Sequence, residues 1–123
     1  MKITSFNPLI VSRDSENIIQ LFEALGFEKR HTKTDIEGGQ NTDVRMKYSD
    51  AFHVDVASSN HVPHDLTSIR INVDNFEEAY DFLISRGFVN TRGDKITETS
   101  SSRDTYLVAP SGFAITLCHH IKK

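Results

Sequence analysis

The side chains best able to do chemistry here are six histidines, one cysteine and scattered carboxylates. His53 and Asp55 stand two apart in Ala51 to Ala57, which reads as a strand, so both point to one face and could begin a metal site. His61-x-x-His64 falls in Ser58 to Asp65, SSNHVPHD, where no helix aligns the pair. His119 and His120 are neighbours at the end of a strand and face opposite ways. Solvated or hydrogen-bonded histidines near strand ends account for all three groups more simply. No nucleophile stands out either. Ser100-Ser101-Ser102 lacks the glycines of a nucleophile elbow, Gly38-Gly39 lacks the spacing of a phosphate loop, and Cys118 has the character of a small buried residue.

The elements that position these residues are read from composition and periodicity. A chain of 123 residues with 37% hydrophobic and 25% charged content suits a single domain, 1–123. One cysteine excludes an internal disulfide and fits a cytoplasmic location. A net charge of -3 argues against nucleic acid, and the absence of a long apolar run argues against a membrane partner. The opening MKITSFNPLI is not expected to be a signal peptide.

Ser68 to Phe88 repeats the pattern of Asn7 to Phe27: apolar strand, polar cap, amphipathic helix and a Gly-Phe stop. Gly26 and Gly87 set the offset at 61 residues. Ile18, Leu21, Phe22 and Leu25 form the stripe of the first helix, with Asp14 or Ser15 as its cap. Asn75 with Glu78 forms a capping box for the second. Strands are expected at Lys2 to Ser12, Phe27 to Lys33, Thr42 to Tyr48 and Ala51 to Ala57, with the last two joined at Ser49-Asp50 and a loop at Asp35 to Asn41. Further strands are expected at Leu66 to Val73, Ser102 to Ala109 and Phe113 to Ile121, with a weak strand pair within Val89 to Thr97. The fold class is therefore α+β: two βαβββ repeats, about 3–57 and 66–121, joined by linker 58–65.

A tandem βαβββ chain with Phe-x-x-Leu-Gly-Phe closing the first helix and Pro110-Ser111-Gly112 before the last strand resembles the vicinal oxygen chelate superfamily. That group includes glyoxalase I, extradiol dioxygenases, and fosfomycin and bleomycin resistance proteins. The resemblance implies a curved mixed sheet with a concave cavity and helices outside. It also implies four metal-ligand positions, which fall at Asn7, Asp55, Ser68 and Thr116. Only Asp55 is a good ligand for a divalent ion, so the inherited metal site is expected to be lost.

The cavity face implied by the resemblance would instead carry Asn7, His53, Asp55, Ser68, Arg70, Asn72 and Thr116, with Arg45 and Tyr106 equivalent to one another but of open facing. Such a polar pocket suits an organic ligand, an arginine gripping a carboxylate or phosphate. The competing reading is that Arg70 merely pairs with Asp55. Asn7 to Asp14 and Arg103-Asp104-Thr105-Tyr106 are similar to the metal-free bleomycin resistance branch. The resemblance thus implies a small-molecule binding protein, without cofactor and working as a homodimer. The alternative is a glyoxalase-like lyase, isomerase or dioxygenase-related enzyme with an atypical divalent metal site.

Overall fold

The computed structural model describes residues 1–36, 41–99 and 101–120. Contacts divide the chain into two compact units, Asn7–Thr67 and Met1–Phe6 with Ser68–Lys123. The division falls inside the first strand, β1 (Ile3–Ser12), which runs unbroken through Pro8.

The unit Asn7–Thr67 continues from β1 into helix α1 (Ser15–Ala24), then β2 (Glu28–Ile36), β3 (Asn41–Tyr48) and β4 (Phe52–Ser58). Its strand order is β2-β3-β4-β1, with β1 and β4 parallel and the other pairs antiparallel. Alternation along the strands fixes what each face carries. Val44, Met46, Val54 and Val56 turn towards α1 and form a core with Ile19. Asp14 caps α1 by position only: its carboxylate accepts from the Asn17 side-chain amide at 2.5 Å and makes no cap bond to the backbone. The helix ends at Gly26, whose φ of +104° suits the left-handed turn, and the Phe27 amide reaches back to the Phe22 carbonyl at 2.9 Å. A Cβ at Gly26 would also meet the Tyr48 ring at 3.1 Å.

β2 extends to Ile36, beyond the expected Lys33, and β3 begins at Asn41, so both ends of the expected loop are strand. Residues 37–40, which hold Gly38 and Gly39, lie outside the described residues. The β3–β4 connection is also longer than expected. Tyr48 pairs with Phe52, leaving a turn in which Ser49 takes φ +51° and the Ala51 amide donates to the Tyr48 carbonyl at 3.2 Å.

In the other unit, β5 (Leu66–Val73) leads to α2 (Phe76–Ser85), the two-residue strands β6 (Val89–Asn90) and β7 (Thr97–Glu98), and then β8 (Ser102–Val108) and β9 (Ala114–His120). β5 and β9 are parallel, and β8 and β9 antiparallel. β6 and β7 do not pair with each other as the sequence suggested; both pair with β8. Val73, Phe76, Ala79, Leu107 and Leu117 form the core beneath α2. Here the cap is as expected: Asn75 Oδ1 accepts from the Glu78 amide at 3.1 Å. The Glu78 carboxylate meets the N-terminal ammonium of Met1. Residues 1–6 join this unit through that pair, through the Lys2 amide on Asp74 Oδ1 at 2.6 Å, and through the Asn72 side-chain amide on Ser5 Oγ at 2.6 Å.

Candidate functional site

Because Val54 and Val56 of β4 face the core, Asp55 must face the other way, and it does so almost fully buried, at 1% exposure. Burying a carboxylate is costly unless both oxygens find donors. Oδ2 accepts from Asn7 Nδ2 at 3.0 Å and Oδ1 accepts from Arg45 Nε at 3.1 Å. Strand register supplies both partners. Arg45 lies opposite Asp55 across β3–β4, while Asp55 pairs with Leu9 across β1–β4, so Asn7 shares its face two residues earlier. Asn7 Nδ2 also donates to the Pro8 carbonyl at 2.8 Å. Asn7 is 2% exposed, and among the described residues its Oδ1 has no donor.

The second unit carries the same geometry with different chemistry. Ser68 Oγ and Thr116 Oγ1, both buried, share a hydrogen bond at 2.7 Å, and they are 48 residues apart as Asn7 and Asp55 are. Thr116 lies opposite Tyr106 as Asp55 lies opposite Arg45, so the equivalence of Arg45 and Tyr106 extends to their strand partners. Burial raises the Tyr106 phenol above its ordinary pKa.

The structure therefore gathers Asn7, Arg45 and Asp55 in one unit, and Ser68 and Thr116, with Tyr106 opposite, in the other. His53 is half-buried and shares the Asp55 face of β4. Arg70 is half-buried and lies opposite Thr116 across β5–β9. Asn72 is buried and bonded to Ser5, not to another candidate. The Arg45–Asp55 contact was readable in principle: once Tyr48 pairs with Phe52, antiparallel register puts Arg45 opposite Asp55. A turn taken one residue too short hid it.

A divalent cation does not fit this donor set. Both Asp55 oxygens already receive N–H donors, one from a guanidinium whose charge would repel an added ion. Ser68 and Thr116 are neutral and bonded to each other. Among the described residues, no three His, Cys, Asp or Glu side chains cluster at metal-binding range. His61 and His64 are exposed, and His119 Nδ1 lies 2.8 Å from the Val73 carbonyl while His120 is exposed. Cys118 is buried.

A separate cavity of about 230 Å³ adjoins the start of α2, lined by Asp74, Asn75, Phe76, Glu77, Arg103 and His119. Its cation is already engaged: Arg103 bonds Glu77 at 2.5 Å and Glu98 at 3.2 Å, and stacks 4.6 Å over the Phe76 ring. The Arg103 contact lowers the Glu77 pKa. Of the side chains weighed for chemistry in the sequence, only His119 lines this cavity, and none of the pocket candidates does.

No family model matches the sequence, and no curated protein matches it. Solved structures do. A glyoxalase/bleomycin resistance protein/dioxygenase superfamily member from Vibrio splendidus 12B01 superposes with a TM-score of 0.60 at 18% identity, covering 96% of this chain and 99% of its own. Methylmalonyl-CoA epimerase from Mycobacterium tuberculosis gives a TM-score of 0.66 at 14% identity, covering 95% and 88%. The Streptomyces coelicolor methylmalonyl-CoA epimerase in complex with 2-nitronate-propionyl-CoA gives 0.64 at 17%, covering 96% and 98%. Likeness at this identity shows the fold, which is the α+β glyoxalase, or vicinal oxygen chelate, fold.

Proposed function

We propose that this protein binds a small organic molecule without a divalent metal, in the manner of the bleomycin resistance branch, as a cytoplasmic homodimer. The observation that carries the reading is the state of Asp55. The one carboxylate among the four ligand positions is already neutralised by Arg45 and held by Asn7. A carboxylate so engaged favours an organic ligand recognised through hydrogen bonds over a metal ion stripped of its water. Metal analysis of untagged protein after exhaustive dialysis tests this, with no stoichiometric ion expected. A stoichiometric divalent ion that is retained in the native chain and lost in Asp55→Ala would overturn it.

The second reading is a lyase, isomerase or dioxygenase-related enzyme with an atypical metal site. It draws on the methylmalonyl-CoA epimerases among the similar structures. The same measurement separates the two.

A further inference from the structure

In the unit that holds α2, Arg103 lines the cavity at the start of that helix with part of its bonding unused. Alternation puts Arg103 and His119 on the face that carries Leu107 and Leu117, opposite one another across β8–β9. The guanidinium lies 4.6 Å over the Phe76 ring, which is 2% exposed and stacked on Tyr80. Its Nε donates to Glu98 Oε1 at 3.2 Å, so ring and carboxylate together fix its plane. Of the terminal nitrogens, Nη1 donates to Glu77 Oε1 at 2.5 Å, and Nη2 makes no bond within the described residues.

Glu77 shows what that edge takes. Its side chain is 69% exposed, yet its carboxylate sits on the guanidinium, which lowers its pKa. The contact is one-sided: one oxygen on one nitrogen, where a guanidinium fork accommodates two parallel bonds. So exposed a pair is worth little and exchanges readily for another carboxylate. His119 directs Nδ1 at the Val73 carbonyl, 2.8 Å away, so Nδ1 carries the proton and Nε2 is left open.

Size and charge narrow the ligand. The cavity of about 230 Å³ is smaller than the ~300–1,000 Å³ of sites for drug-sized molecules, so only a small ligand fits. Asp74 and Glu77 stand in the same lining, so a dianion meets two negative fields. A neutral molecule gains little from the guanidinium.

We propose that this cavity binds a small monocarboxylate, which takes the Arg103 terminal nitrogens from Glu77. The ligand replaces Glu77 on Nη1 and adds the bond at Nη2, while the Glu77 side chain turns out to water. Glu77 is thus a built-in competitor. The site shares no residue with the one proposed above and stands or falls without it.

Titration of the full-length, ¹⁵N-labelled chain at fixed ionic strength tests the site, with propionate, propionamide and inorganic phosphate as probes. Propionate is expected to shift the Arg103 Nε–H and His119 imidazole signals saturably. Propionamide, lacking the charge, and phosphate, carrying more of it, should each bind at least about threefold more weakly. Glu77→Gln, which removes the competing charge from an exposed position, should tighten propionate binding about threefold to fivefold. Adding Arg103→Gln to that variant should abolish binding, and Arg103→Lys in its place should restore part of it. The amide spectrum reports the folding of each variant.

Equal binding of propionamide, tighter binding of phosphate, or propionate binding that survives Arg103→Gln would overturn the site. So would a propionate affinity no higher in Glu77→Gln than in the native chain. Absence of any saturable shift, even in Glu77→Gln, overturns the ligand class. Saturation that leaves the Arg103 and His119 signals in place puts the carboxylate elsewhere and overturns the site as well.

Discussion

Asp55 survives at 1% exposure because each of its oxygens has a donor, and the loss of either donor would weaken that compensation. Removing the carboxylate takes an acceptor from the buried Asn7 amide, which keeps the Pro8 carbonyl, and the counter-ion from the partly buried Arg45 guanidinium. Asp55→Ala is therefore expected to lower unfolding stability by about 2–4 kcal/mol, the one-third exposure of Arg45 holding the cost below that of a fully buried pair. Ser68→Ala, which removes one hydroxyl from a neutral bond, should cost only about 1 kcal/mol. Urea unfolding of the two variants beside the native chain checks the ordering, and equal costs would show that the carboxylate contributes no more than a hydroxyl.

At the scale of elements, the two helices occupy equivalent positions but start differently. Asn75 accepts from the Glu78 amide, whereas the Asp14 carboxylate is turned to Asn17. Asn75→Ala should cost about 1 kcal/mol and Asp14→Ala a few tenths, a contrast that thermal denaturation of the two variants resolves. The repeat itself was legible because it is written in local chemistry: the glycines that end each helix adopt φ of +104° and +94°, and apolar alternation set the core faces. Alternation also placed Ser68 away from the helices, while Asp55 was placed by the ligand positions that the resemblance implies. The pairing of Arg45 with Asp55 escaped because it depends on the length of a turn containing no glycine, with Ser49 at positive φ where sequence gives no cue. β6 and β7 escaped because two residues carry no periodicity, so nothing local told that both would join β8.

For the whole molecule, the compact units depart from the repeats seen in sequence chiefly at the start: the first six residues belong with the second repeat. The backbone of Lys2 is bonded both to the Asp74 carboxylate, whose pKa its amide lowers, and to the Asp74 amide, which donates to the Lys2 carbonyl at 3.1 Å. Deleting residues 1–6 should consequently speed amide hydrogen exchange in β5 and at the start of α2, leaving β3 and β4 protected near their native level. Faster exchange spread evenly over the chain would show that these residues serve both units alike.

The join in β1 bears on the order of events during synthesis. Ser5, Lys2 and Met1 meet partners 67, 72 and 77 residues later in the chain. At the ribosome, the first six residues emerge with nothing to pair with, while the segment behind them already has its neighbours at hand. Ile3 and Phe6, 59% and 63% exposed even in the finished chain, are on offer to chaperones or to other nascent chains for that whole interval. Residues 1–6, made before the partners they bond, are thus secured only after Asn72 to Glu78 have followed.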